Sequence, residues 1–171
     1  MNKSATAFVV AVALTAAVLS ATPANAQPVP SLYVPATPCR ILDTRWDSEG
    51  NPLSPLAAGT TLNIDVRNRC NVPFEANAVA VNVHALTPGP NGALLVWPSC
   101  TVRPAAGTIS HNGSTTGESG FSIVLMSYPT LECNSDIDLY VTGVTHAAID
   151  VVGYYFPEQQ IVYAPIATSN N

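Results

Sequence analysis

The sequence predicts an all-β protein, an antiparallel β-sandwich of jelly-roll type with about eight strands and disulfide bonds. Three observations carry this expectation. No segment longer than ten residues repeats its apolar residues with a helical period. Short alternating or β-branched runs recur instead, separated by Gly-, Pro- and Asn-rich turns. The four cysteines are an even number, the pattern of a bridged exported domain.

In chain order the strands are "RILDT" (40–44), "TLNIDV" (61–66), "AVAVNVHA" (78–85), "ALLVW" (93–97), "GTISH" (107–111), "FSIVLM" (121–126), "DIDLYV" (136–141) and "AAIDVVGYY" (147–155). Turns such as "SEGNP", "TPGPNG" and "HNGSTTGESG" punctuate them. Alternation assigns faces. Val79, Val81 and Val83 point inward, with Ala78, Ala80, Asn82 and His84 outward. Ile137, Leu139 and Val141 likewise point inward, and Asp136 and Asp138 outward. The outward faces are only thinly polar, which suits a surface that a neighbour covers.

Residues 1–26 form an expected secretory signal peptide: Lys3 near the start, the uncharged run "ATAFVVAVALTAAVLSA", and the small-residue exit "ATPANAQ". An uncleaved membrane anchor is the alternative, since the run is about as long as a short span. No other stretch has spanning length, so no membrane insertion is expected after cleavage, and the protein is expected to be secreted. An extended, proline-rich arm follows at 27–38, then the sandwich at 39–156 and a C-terminal tail at 157–171. Either end is a frayed terminus or a strand donated to another copy.

Charge narrows the partners. Lys3 leaves with the signal, and five arginines then face eleven acidic residues, a net charge near −6. Nucleic acid and anionic membranes both reward basic patches, so neither is expected as a partner. Only 10% of residues are charged, a composition that suits a secreted or assembled β-protein better than a cytosolic enzyme.

Of the three possible disulfide pairings, Cys39–Cys70 with Cys100–Cys133 is preferred, because both loops are of moderate length and do not interleave. Each bond is worth about 3–4 kcal/mol in the loop-entropy picture. A metal site is not expected: no cysteine has a C-x-x-C partner and no histidine stands at ligand spacing from one.

Signals for chemistry are weak. There is no G-x-S-x-G, and "GESG" (117–120) lacks the strand–turn–helix context of a nucleophile elbow. A serine with His146 and Asp150 fails on distance, since four residues along one strand span roughly 13 Å. Asn134, Asp136 and Asp138 resemble the start of a calcium loop, but the glycine and the closing glutamate are missing. No catalytic residue, cofactor or metal is assigned. A glycan-binding face needs exposed aromatics, and Trp46 and Trp97 are the candidates for ligand contact, Trp46 the better because it enters a polar turn.

Three stretches, "TPCRILDTR" (37–45), "AVAVNVHALTPGPNGALLVWP" (78–98) and "THAAIDVVGYY" (145–155), together resemble a recurrent family of bacterial cell-surface and secreted β-domains. That family opens on P-C-R-hydrophobic-hydrophobic-D-T-R and closes on D-V-hydrophobic-G-Y-aromatic. "CNVP" (70–73) is similar to the cysteine that follows the family's opening motif. The resemblance implies a surface β-module with no catalytic chemistry. The segment "SHNGSTTGESGFSIV" and the Cys100–Cys133 pair depart from the pattern.

The charged residues of the opening motif are expected to form a clasp. Arg40 or Arg45 pairs with Asp150 on the last strand, while Asp43 accepts hydrogen bonds from a turn. The expected function is a structural or adhesive module at the cell surface, in contact with other copies of itself or other surface proteins and assembling into a filament or coat. A glycan-binding module is the alternative, and an enzyme is not expected.

Overall fold

The computed structural model describes residues 30–113, 117–128, 130 and 133–158. The expected signal peptide (1–26), residues 27–29 and the tail from 159 onward lie outside them.

Eight strands form: β1 (Ser31–Asp43), β2 (Thr61–Ile64), β3 (Ala78–Leu86), β4 (Gly92–Pro98), β5 (Ile109–His111), β6 (Glu118–Leu125), β7 (Ile137–Val141) and β8 (His146–Pro157). All eight predicted runs are strands, and no helix occurs among the described residues. Their pairing is nested: β1 with β8, β2 with β7, β3 with β6 and β4 with β5, all antiparallel. A long antiparallel ribbon of that kind, rolled up so that β3 also meets β8 and β4 also meets β7, gives two sheets. Their orders are β1-β8-β3-β6 and β2-β7-β4-β5. This is a jelly roll.

Alternation builds the core. Val79, Val81, Val83 and Ala85 of β3 are fully buried, facing Leu94 and Val96 of β4 and Leu139 and Val141 of β7 across the sandwich. Ile149 and Val151 of β8 complete the layer. Gly120 has no side chain because Ile109 needs the room: a Cβ there would sit 2.1 Å from the Ile109 methyl group.

The two outer faces differ. On the β2-β7-β4-β5 side, Leu95 and Trp97 point away from the core yet are buried. Segment 99–108 returns along β4, with Thr108 N donating to Leu94 O (2.7 Å), and Arg103 stacks on Tyr140, the register partner of Leu95. The protein covers this face itself. On the β1-β8-β3-β6 side no such segment lies over the sheet among the described residues, and Tyr33, Phe121, Ile123 and Leu125 remain exposed.

Two expectations need correction here. Residues 31–38 are not an arm outside the domain: β1 starts at Ser31, and Ser31–Pro35 pair with Gly153–Pro157, so the sheet begins before residue 39 and ends at Pro157 rather than 156. The prolines are tolerated because β1 is an edge strand, bulged between Pro35 and Cys39. Asp136 and Asp138 are not surface carboxylates but buried ones. Asp138 accepts from Asn63 Nδ2 (2.7 Å) and Ser99 Oγ (2.6 Å), so its burial is compensated by hydrogen bonds.

Candidate functional site

The rows of side chains across the outer face of β1-β8-β3-β6 follow from register. Arg40 of β1 opposes Asp150 of β8, which opposes Asn82 of β3, which opposes Phe121 of β6. The neighbouring row carries Ala148, His84 and Ser119. One step the other way lie Pro35, Gly153, Ala80 and Ile123, and then Tyr33, Tyr155, Ala78 and Leu125. A polar band therefore borders a broad apolar one.

The polar band is continuous. Arg40 holds both oxygens of Asp150, with Nε to Oδ1 at 2.8 Å and Nη2 to Oδ2 at 2.9 Å, and reaches Asp43 Oδ2 through Nη1 at 3.0 Å. Arg45 holds Asp43 through its backbone N–H (3.1 Å), Nε (2.9 Å) and Nη2 (2.6 Å). It is Arg40, not Arg45, that reaches Asp150. The guanidinium fork fits a carboxylate bidentately, and here one bidentate pair ties the first strand to the last.

Hydrogen bonds from Arg45 hold the Asp43 carboxyl well below the usual carboxylate range, and Arg40 lowers that of Asp150. Both arginines titrate correspondingly higher than usual, Arg40 through Asp150 and Arg45 through Asp43. A carboxyl whose folded-state pKa is depressed stabilises the fold above its unfolded pKa of about 4, and that contribution fades as pH falls below it. Arg40 is 42% exposed at the side chain, so solvent screening discounts the pair. Arg40→Ala is expected to cost about 1 kcal/mol at pH 7. Urea denaturation series should show the gap to the parent protein narrowing as pH drops from 4 toward 2.

The band continues to β6. His84 Nε2 lies 3.1 Å from Asp150 Oδ2, and His84 Nδ1 lies 2.6 Å from Ser119 Oγ. The sequence suggests a histidine, aspartate and serine set only through His146, and spacing rules it out; His146 is buried, with Nδ1 2.9 Å from Thr44 O. Register, which the sequence does not display, is what brings His84, Asp150 and Ser119 together. The ring joins the carboxylate at Nε2 and the hydroxyl at Nδ1, the reverse of the usual hydrolase arrangement. Both carboxylate oxygens are already engaged by Arg40, and Ser119 stands exposed at the edge of a sheet face.

A second ion pair went unforeseen. Arg67 and Asp136 are both buried, with side chains 4% and 6% exposed. Arg67 donates to Asp136 Oδ1, Phe74 O (2.8 Å), Ser127 O (2.6 Å) and Ala76 O (3.1 Å). Asp136 Oδ2 accepts the backbone N–H groups of Val66 and Arg67 at 2.7 Å each. The rings of Phe74 and Tyr128 lie 6.0 and 5.4 Å from the guanidinium carbon. This pair organises the loop between β2 and β3.

The cysteines pair as Cys39–Cys70 and Cys100–Cys133, with no free cysteine. Trp46 is 50% exposed, at the head of a turn in which Asp47 accepts the N–H groups of Glu49 and Asn51. Trp97 is no candidate for ligand contact, because it is only 7% exposed. Among the described residues no three His, Cys, Asp or Glu side chains gather as metal ligands, and no helix is long and apolar enough to cross a membrane. Compared with known proteins, the chain matches no family model, no curated protein and no solved structure.

Proposed function

We propose that the protein is a secreted structural and adhesive module of the cell surface that works through protein–protein contacts. Its partners are other copies of itself or other surface proteins, assembled into a filament or coat. One observation carries the reading: among the described residues the outer face of the β1-β8-β3-β6 sheet leaves Phe121, Ile123 and Leu125 exposed along β6 and Tyr33 exposed on β1, whereas Leu95 and Trp97 on the opposite outer face are buried. Large apolar side chains grouped on an exposed sheet face mark a surface that meets a partner. Two disulfides accord with an oxidising, extracellular setting. The jelly roll itself does not discriminate, since the architecture serves both coats and lectins.

On this reading the Arg45–Asp43–Arg40–Asp150–His84–Ser119 band is a fastening across four strands, not an active site. Negative-stain electron microscopy of native cell-surface material tests the proposal. Ordered polymers that bind antibody to this chain are expected, and dispersed single particles would sink it. The exposure of Trp46 favours a second reading, a glycan-binding module. Quenching of Trp46 emission by an extracellular glycan, lost in Trp46→Ala, would favour that reading instead.

A further inference from the structure

We infer that the free edge of β6 is a homodimer interface, pairing antiparallel with β6 of a second copy about a two-fold axis through Ile123. This rests on the reading that copies contact one another and names where they do so.

The edge can be read from its hydrogen bonds. Met126 N donates to Asn77 O, and Ala78 opposes Leu125, so Val79:Val124, Val81:Ser122 and Val83:Gly120 are the hydrogen-bonded pairs of the β3–β6 ladder. The backbone N–H and C=O groups of the alternate residues, Ser119, Phe121, Ile123 and Leu125, therefore point away from β3. Nothing among the described residues pairs with them. The same residues carry the exposed side chains, with Phe121 at 59%, Ile123 at 52% and Leu125 at 64%. An open strand edge with apolar side chains takes another strand, not a globular surface.

The fold itself says which strand. The other end of this sheet, β1, is shut by Pro35, Pro38 and two bulges. The second sheet's edges are short, β2 with four residues and β5 with three. Among the described residues only β6 offers a long open edge, so an edge-to-edge contact between copies uses β6 twice, an isologous arrangement that closes as a dimer. Charge agrees. From Ser119 to Tyr128 there is no charged residue, so a chain of net negative charge meets its copy along a neutral seam.

Register follows from matching. Centring the axis on Ile123 sets Ile123 against its counterpart and Phe121 against Leu125, apolar on apolar in each outer row. Glu118 then falls opposite Tyr128, clear of its own copy. Centring one residue earlier sets Ser119 against Leu125 and loses a match.

Sedimentation equilibrium of the exported protein, beside Ile123→Lys and the control Val144→Lys, tests the interface. Val144 is exposed and lies outside β6. The parent and Val144→Lys are expected to dimerise, and Ile123→Lys to weaken dimerisation at least ~10-fold while its circular-dichroism spectrum stays that of the folded parent. Ile123→Cys, the only free thiol in its chain, should be joined to its copy by a short bis-maleimide. An Ile123→Lys protein that dimerises as well as the parent overturns the inference. So does a parent monomer that dimerises once residues 159–171 are removed, because the edge is then occupied by the tail. Monomers in solution alongside polymers in native material would reject β6 while leaving the assembly reading intact. Monomers in both would reject the two together.

Discussion

Arg67→Met is expected to destabilise the protein by about 3–5 kcal/mol, because it strands the Asp136 carboxylate in the interior without its cation. The carbonyls of Phe74, Ala76 and Ser127 lose their donor in the same step, and methionine supplies none. Equilibrium urea denaturation is the direct measurement, and a loss below about 1 kcal/mol would refute the assignment. The double variant Arg67→Met with Asp136→Leu isolates the pair. It is expected to lose less than the sum of the two single changes, since the buried carboxylate is then gone. If the single variant does not fold, the double variant still reports: recovery of folded protein is the expected result. The pair is more costly to break than the exposed clasp because both of its members are out of solvent, whereas Arg40 is screened.

Periodicity made the architecture legible and the sites largely not. Each of the eight strand runs announced itself by alternation and by the turns around it, and the inward sets on β3 and β7 follow period two without exception. Asp136 shows the limit. Its place beside Ile137 and Leu139 read as the outward half of a strand, yet it lies just before β7, where the backbone N–H groups of Val66 and Arg67 come to meet it. A buried carboxylate is indistinguishable from a surface one until its partners, distant in sequence, are known. The same holds for His84 and Ser119, thirty-five residues apart and brought within hydrogen-bond distance only by the β3–β6 register.

Trp97 and Phe121 make the complementary point about exposure. Both sit on strands with their side chains away from the core. What separates them is whether another part of the chain returns over the face. Trp97 is buried, with Arg103 of segment 99–108 lying over Tyr140 on the same face, and nothing among the described residues covers Phe121. An aromatic that the chain covers is part of its stability, and one that it leaves bare is available to a partner.

Removing either disulfide is expected to cost about 4 kcal/mol by loop closure, since the bonded residues are separated by 31 and 33 positions. The near-equal cost hides different local consequences. Cys39 is on β1, and Cys70 lies three residues past Arg67, where Arg69 Nη2 also donates to Ile41 O at 2.7 Å. The loop between β2 and β3 thus stays tied to β1 and to Asp136 when Cys39 and Cys70 become serine, and the outer faces of both sheets should be unchanged. Cys100 begins the segment that covers Trp97, and Cys133 anchors it from just before β7. Cys100→Ser with Cys133→Ser releases that anchor, while Ser99 on Asp138, Arg103 on Tyr140 and Thr108 on Leu94 still tie the segment to the sheet. Trp97 emission should then shift to longer wavelength and become quenchable by iodide below the unfolding transition, which the Cys39–Cys70 variant should not show. Measured in a Trp46→Phe background, the signal belongs to Trp97 alone. Equal quenching in both disulfide variants would mean that Cys100–Cys133 does not hold the cover, and that the uncovered face of the first sheet is not distinguished from the second by that bond.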